Sequence, residues 1–202
     1  MRIHRIRIIA IIACALGLVA CSGEGGRQGV VPPNGIITLS DQFTGEFSLI
    51  DTDEIPRRDE DFEGKVMVVY FGFTYCPDVC PVDIGVLSAA MNELGAEATN
   101  VAPIFITVDP ARDTPEAMAD YIAFDARLTG LTGDEEAAKA ARDSFKVQAS
   151  IEPLPDSAIE YTVNHSRFFY IADRAGQPIY ALTGGASPQD LAGVVHLALA
   201  KK

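Results

Sequence analysis

The feature that most constrains the fold is an unbroken apolar run at residues 65–73, which ends just before two closely spaced cysteines. After Lys65 the run holds β-branched, aromatic and other uncharged residues, with no alternation of apolar and polar side chains. Such a pattern is typical of a strand that is buried on both faces of a sheet. It therefore predicts an α/β domain with this strand near its centre.

The segments after this strand alternate between helical and extended patterns. Apolar residues at helical spacing predict a helix from Pro81 to about Leu94, with Gly95 as its terminator. Asp113 is predicted to cap the next helix. The other predicted elements are an initial hairpin of residues 36–39 and 46–50, strands at 101–108 and 128–132, helices at 113–124 and 134–145, a hairpin of 168–172 with 178–182, and a last helix opened by Ser187. This order predicts a thioredoxin-like α/β fold, a central mixed β-sheet flanked by helices, with an N-terminal β-hairpin extension.

The first residues have the layout of an export signal. Three arginines precede an uncharged stretch at residues 8–20, which is too short to span a bilayer. It ends in Leu18-Val19-Ala20-Cys21, which resembles the lipobox of bacterial lipoproteins and implies cleavage before Cys21 and lipid attachment there. The alternative is an ordinary signal peptide. We expect a lipoprotein signal peptide at 1–20, a flexible tether at 21–35 and one domain at 36–202, exported to the periplasmic side of a bacterial membrane and anchored there by lipid.

The charge of the chain limits its partners. There are 28 acidic and 16 basic residues, for a formal net charge of −12. Nucleic acids and anionic membrane surfaces carry the same sign, so charge does not favour either. We expect no nucleic-acid partner, and membrane association only through the lipid anchor.

Two cysteines, Cys76 and Cys80, remain in the domain once Cys14 and Cys21 are assigned to the N-terminal segments. They stand at the predicted start of a helix, where unpaired backbone N–H groups stabilise thiolates. Their spacing permits a shared metal ion or a disulfide. A purely structural disulfide is the less favoured alternative, because a loop of three residues removes little entropy from the unfolded chain.

Histidines are equally few, and two fall in the domain. His196 lies in an apolar stretch of the last helix and is interpreted as a packed or partly exposed helix residue. His165 precedes the strand predicted at 168–172, where a thioredoxin-like fold brings a loop against the two cysteines. Together with them, it predicts a metal site.

Motifs along almost the whole domain resemble the Sco/SenC family of copper chaperones, which assist the assembly of cytochrome c oxidase. The matching blocks are Gly64-Lys65, Phe71-Gly72-Phe73-Thr74, Cys76-Pro77-Asp78-Val79-Cys80-Pro81, Thr107-Val108-Asp109-Pro110, Arg112-Asp113-Thr114-Pro115, Gly130-Leu131-Thr132-Gly133 and Val163-Asn164-His165-Ser166. The resemblance implies that Cys76, Cys80 and His165 bind one copper ion, that Cys76 and Cys80 form a disulfide when oxidised, and that copper is delivered to the dinuclear copper site of cytochrome c oxidase subunit II. Other periplasmic copper chaperones and thioredoxin-like reductants are further expected partners.

One position departs from the family pattern, since the family often has an acid before the histidine and this chain has Asn164. An amide hydrogen-bonds but supplies no negative charge. Asp78, between the cysteines, is expected to cap the helix or to lie on the surface rather than to bind metal.

Ligand chemistry favours copper over zinc. Two thiolates and an imidazole are a soft set that suits Cu(I) and tolerates Cu(II), whereas structural zinc usually takes a fourth ligand. The alternative from the enzyme class is a thiol-disulfide reductase in which Cys76 attacks and Cys80 resolves. Such enzymes usually carry C-x-x-C and a facing cis-proline, and residues 161–171 hold no proline. A peroxide scavenger is disfavoured because the spacing of residues around Thr74 is wrong.

Overall fold

The predicted central strand is β4 (Val66–Gly72), and all seven of its residues are buried. It pairs in parallel with β5 (Val101–Thr107) and antiparallel with β9 (Phe168–Ala172). The computed structural model describes residues 35–155 and 157–201 of the chain. Because β4 has a strand on each side and helices above and below, its run needs no polar face.

Among the described residues, the main sheet has eight strands. The other five are β1 (Ile36–Thr38), β2 (Ser48–Asp51), β3 (Pro56–Arg58), β6 (Thr129–Thr132) and β10 (Pro178–Thr183). Their spatial order is β1-β10-β9-β4-β5-β6-β2-β3. Only β4, β5 and β6 run parallel to one another, and the remaining pairs are antiparallel, so the sheet is mixed as predicted.

In the part of the chain that the structure describes, four α-helices cover this sheet. They are α1 (Val79–Leu94), α2 (Pro115–Ile122), α3 (Glu135–Ser144) and α4 (Pro188–Leu199). Neighbouring residues of β4 point to opposite faces: Tyr70 reaches Asp83 of α1, while the Phe71 ring packs on Phe145 at the end of α3. The helices therefore lie on both faces, with α1 against α4. No helix in the described ranges has the length and apolarity to cross a membrane.

Several predicted helix boundaries are confirmed. Asp134 and Ser187 cap α3 and α4 by accepting from backbone N–H groups three residues on. Gly95 ends α1 with a positive φ of 55°. The predicted cap of α2 is wrong: Thr114 caps this helix, and the Asp113 carboxylate turns inward to Thr74 and Thr107.

The pairing predicted for the N-terminal strands is also wrong. An N-terminal hairpin exists, but it consists of β2 and β3, joined by a turn at residues 52–55. β1 crosses to the other edge of the sheet and pairs with β10. Local sequence could not show this, because β1 is fixed by a partner more than 140 residues away along the chain.

A second, two-stranded sheet was not predicted. It consists of β7 (Ala149–Pro153) and β8 (Tyr161–His165), which pair antiparallel and form no ladder with the main sheet. All five residues of β7 are exposed. His165 is the last residue of β8, so the histidine predicted in a loop stands at the end of this hairpin. The segment leads directly into β9.

Candidate metal centre

The loop between β4 and α1 carries Cys76 and is held in place by a buried carboxylate. Asp113 is fully buried, and its carboxylate accepts from the Thr74 hydroxyl at 2.6 Å and from the Thr74 backbone N–H at 3.1 Å. The Cys76 N–H donates to the carbonyl of Phe73 at 3.3 Å. Cys76 thus lies in a turn just before the helix and not within it, with 9% of its surface exposed.

Cys80 is the second residue of α1 and is fully buried. Its backbone N–H donates to the Cys76 Sγ at 3.4 Å, which brings the two cysteines together across the first turn. Gly72 makes room for this thiol, because a Cβ on Gly72 would lie 2.8 Å from the Phe105 ring and 3.2 Å from the Cys80 Sγ. The end of β4 must therefore be a glycine for Cys80 to pack against the sheet.

His165 meets the cysteines from the hairpin side. Its Nε2 lies 3.6 Å from the Cys80 Sγ. Its Nδ1 lies 3.0 Å from the carbonyl of Ser166, an acceptor, so Nδ1 carries the proton and Nε2 presents its lone pair toward Cys80. The rings of Tyr70 and Phe73 meet the imidazole edge-on. The structure thus links Cys76 to Cys80 and Cys80 to His165.

These links do not form a closed cage. Across residues 35–155 and 157–201, no three His, Cys, Asp or Glu side chains are arranged to hold a metal ion together. Cys76 and Cys80 are not joined by a disulfide, so the disulfide expected in the oxidised form stays a prediction. Cys21 lies outside the described residues.

The two thiols have opposite proton affinities. The Cys80 side chain donates a hydrogen bond to the Cys76 sulfur and backbone N–H groups add to it, which lowers the pKa of Cys76 to about 5. The same bond and burial raise the pKa of Cys80 far above its usual value. Burial lowers the pKa of His165, which keeps the imidazole neutral. The shifts therefore favour the thiolate at Cys76, the thiol at Cys80 and the neutral imidazole at His165.

The remaining residues singled out in the sequence lie off this cluster. Asp78 precedes α1 but makes no capping bond with its side chain, and it is exposed. Asn164 donates to the Glu152 carboxylate of β7 at 2.8 Å. His196 faces Glu97 at 2.8 Å and is partly exposed, as predicted.

Comparison with known proteins decides the family. The sequence model of SCO1/SenC matches residues 37–200. The chain belongs to the SCO1/SenC family. Protein sco1 of Schizosaccharomyces pombe is 41% identical, over 76% of this chain and 60% of its own length. A SCO2-like protein of Rickettsia felis is 33% identical, over 73% of this chain and 72% of its own. This chain therefore spans less than two thirds of the yeast relative.

Solved structures of the family share the fold. ScoI of Bradyrhizobium japonicum with copper bound has a TM-score of 0.69 at 33% identity, covering 76% of this chain and 97% of its own. Yeast Sco1 with copper bound has a TM-score of 0.71 at 31% identity, covering 78% and 88%. The predicted thioredoxin-like α/β fold of this SCO1/SenC chain is confirmed.

Two arginines hold the hairpin of the SCO1/SenC site, and neither was predicted from the sequence as a site residue. Arg112 pairs with Asp109 at 2.5 Å and donates to the carbonyls of Ile159 and Tyr161, each at 3.0 Å. Its guanidinium also stacks 3.6 Å from the Tyr161 ring centroid. The second, Arg167, follows β8 and pairs with a buried carboxylate of α1 at 2.5 Å. The matching block around Arg112 was a signal of importance, but nothing in it showed the contact with the hairpin.

Proposed function

We propose that this chain is a copper metallochaperone, which binds one copper ion through Cys76, Cys80 and His165. It delivers that ion to the dinuclear copper site of cytochrome c oxidase subunit II during oxidase assembly. The observation that carries the proposal is the 3.6 Å approach of the His165 Nε2 to the Cys80 Sγ, beside a second sulfur of lowered pKa. Copper-bound ScoI and Sco1 support it.

The donor set fits a soft ion that must later leave. Cys76 is already a thiolate at neutral pH, and Cu(I) binding displaces the single proton of Cys80. The neutral His165 offers a lone pair without losing a proton. Three ligands leave room for a donor from the acceptor protein, which lets copper pass by ligand exchange.

Copper titration of single variants tests this ligand set. The protein is the full chain with Cys14→Ser and Cys21→Ser, so that Cys76 and Cys80 are its only thiols. We expect one Cu(I) per chain, and a loss of affinity above about 100-fold for Cys76→Ser or Cys80→Ser, beyond the usual effect of residues outside the ligand shell. His165→Ala should also weaken binding, and the matched control His196→Ala should not. Unchanged copper affinity in His165→Ala contradicts the ligand set.

A second candidate function, thiol-disulfide reductase, is favoured by the same pair of sulfurs. The Cys76 thiolate would attack a target disulfide and release one target thiolate. Cys80 would then attack the mixed disulfide, leaving a Cys76–Cys80 disulfide and a fully reduced target. A thioredoxin-like reductant must restore the thiols. His165→Ala separates the candidates, because it should abolish copper transfer to an apo subunit II domain and leave reduction of that domain's disulfide intact.

The proposed location is the periplasmic side of a bacterial membrane, with lipid on Cys21. This rests on the Leu18-Val19-Ala20-Cys21 sequence, which lies outside the described residues. Cys21→Ala should abolish labelling by a lipid precursor and move the protein from the membrane to the soluble fraction. An unchanged membrane fraction contradicts the lipid anchor.

A further inference from the structure

A carboxylate lies at the centre of the core, one helical turn beyond Cys80. Asp83 is fully buried in α1. A buried carboxylate is costly unless donors surround it. Here both oxygens are satisfied: Arg167 donates to Oδ2 at 2.5 Å and to Oδ1 at 2.8 Å, Tyr70 donates to Oδ2 at 2.9 Å, and the Gly185 N–H donates to Oδ1 at 3.0 Å. Each oxygen of the Asp83 carboxylate therefore accepts two hydrogen bonds from the protein.

The main donor to Asp83 is Arg167, which belongs to the segment that carries His165. Arg167 stands two residues after His165, and 84 residues separate it from Asp83 along the chain. Ser166 lies between His165 and Arg167. Its carbonyl accepts from the His165 Nδ1, and its N–H donates to the Gln148 carbonyl at 2.9 Å. The ion pair therefore fixes a segment whose next residues are the histidine and its own hydrogen-bond acceptor.

A glycine makes room for the side chain of the arginine. A Cβ on Gly184 would lie 2.3 Å from the Arg167 Cγ and 2.5 Å from its Nε, so no other residue fits there while Arg167 reaches Asp83. The Gly184 N–H donates to the Arg167 carbonyl at 2.9 Å. The turn after β10 thus holds the backbone of Arg167 in place and leaves a channel for its side chain.

The carboxylate also anchors a wall of the imidazole pocket. Tyr70 donates its hydroxyl to Asp83, and its ring meets the His165 ring edge-on with 6.4 Å between centroids. Asp83 is therefore connected to His165 by two routes, one through Tyr70 and one through Arg167. An apolar residue in α1 would fill the same space but would hold neither of them.

We propose that Arg167, through its bidentate pair with Asp83, is a positioning residue that holds the His165 imidazole against Cys80. This rests on the proposed copper site. Because β7 and β8 form no ladder with the main sheet, side-chain contacts act together with the backbone bond between Gly184 and Arg167 to place the histidine. Arg167 fixes the geometry of the copper site without touching the ion.

The test is a double-mutant cycle on copper affinity in the full chain with Cys14→Ser and Cys21→Ser. Arg167→Lys keeps the charge but loses the planar two-point contact with Asp83. We expect it to weaken Cu(I) binding by about 10- to 100-fold when His165 is present, the range usual for residues that orient a metal ligand. In the His165→Ala background the same change should alter affinity less than about twofold, since little remains to be positioned. An equal loss in both backgrounds, or no loss in either, overturns the proposal.

Matched variants exclude a general loss of structure. Arg127→Lys weakens another ion pair, with Asp125, and Arg127 also donates to the Ser88 carbonyl of α1. It should leave copper affinity unchanged. Gly184→Ala changes no charge, and the backbone at residue 184 suits an alanine. The added Cβ, however, displaces the Arg167 side chain. It should reproduce the Arg167→Lys effect, and wild-type copper affinity in this variant overturns the proposal.

A readout without metal separates this inference from the copper proposal. In the apo protein, NMR should show cross-relaxation between ring protons of His165 and Tyr70, which are in edge contact. The signal should persist in Arg127→Lys and disappear in Arg167→Lys. Should His165→Ala leave copper binding intact, the proposed ligand set fails, and this NMR pair still decides the positioning role. A persistent signal in Arg167→Lys overturns it.

Discussion

The two halves of the metal centre are built in different ways. Cys80 lies in α1, which packs on the sheet and on α4, and its side chain is fully buried. His165 ends a two-stranded hairpin whose outer strand is exposed at every residue. Cys80 is placed by a helix that packs into the apolar core, whereas the hairpin that ends in His165 buries only Val163 in that core and is held mainly by Arg112 and Arg167. A site assembled this way has one rigid side and one side that a few polar contacts can release.

The largest expected effect is on the thiol chemistry of the cysteine half. Removing the side-chain donor with Cys80→Ala should raise the pKa of Cys76 from about 5 toward its ordinary value of 9.0. Because only the thiolate reacts, the midpoint of the iodoacetamide rate against pH should move upward in the same way. Ser88→Ala, two turns further along α1, is the control and should leave the midpoint near 5. A midpoint near 9 in the parent protein contradicts the lowered pKa.

Stability should follow the same proton. The folded pKa of Cys76 lies below that of the unfolded chain, so the unfolded state binds more protons between about pH 5 and 9. The free energy of unfolding of the reduced apo protein should therefore rise over this range, and the contribution of Cys76 should disappear as the pH falls through 5. Cys80 is protonated in both states below 9 and adds nothing there. Cys76→Ser should flatten the rise in chemical denaturation curves.

A smaller effect separates the two halves by packing. Leu87 is fully buried in α1, so Leu87→Ala should cost about 2–5 kcal/mol of unfolding free energy through lost contacts and a cavity. Ile151 of β7 is 65% exposed, and Ile151→Ala should stay within about 0.5 kcal/mol. Urea denaturation measures both. Similar losses in the two variants would mean that the hairpin is as tightly packed as the core.

The smallest effect is local to the hairpin. Arg112→Leu removes the donor to the Ile159 and Tyr161 carbonyls and leaves the buried Asp109 without its cation, at a cost of about 1–3 kcal/mol. Hydrogen exchange should accelerate at the amides of β7 and β8 but not at those of α1. The control is Arg57→Leu, which breaks the comparable pair with Asp51, in the hairpin of β2 and β3. Equal acceleration in α1 contradicts the division into two halves.

The same division explains what the sequence could predict. The apolar run of β4, the stripe of α1 and the caps at Asp134 and Ser187 are local signals. Each matched the structure, except that Val82, expected on the inward stripe of α1, is exposed. β7 lacks such a signal because it is exposed throughout, and β8 has only one buried residue, Val163, so neither strand carries a strong hydrophobic pattern. His165 was predicted near the cysteines from the fold and not from its own neighbours.

Long-range polar contacts were out of reach for a similar reason. Asp113 lies where a helix cap is expected, and only the tertiary structure shows its carboxylate turned to Thr74 and Thr107. Asp83 and Arg167 are separated by 84 residues, so no local pattern connects them. Buried charges are chosen by their partners, and a partner is visible only once the chain has folded.

The edges of the eight-stranded sheet limit how this protein can associate with its neighbours. At one edge lies β1 and at the other β3, and each has only three residues. Pro56 in β3 lacks a backbone donor, and Arg57 and Arg58 follow it with charge. A strand from another molecule therefore finds little backbone to extend, which suppresses edge-to-edge aggregation. Such protection would matter most for copies of the protein that are held close together on a surface.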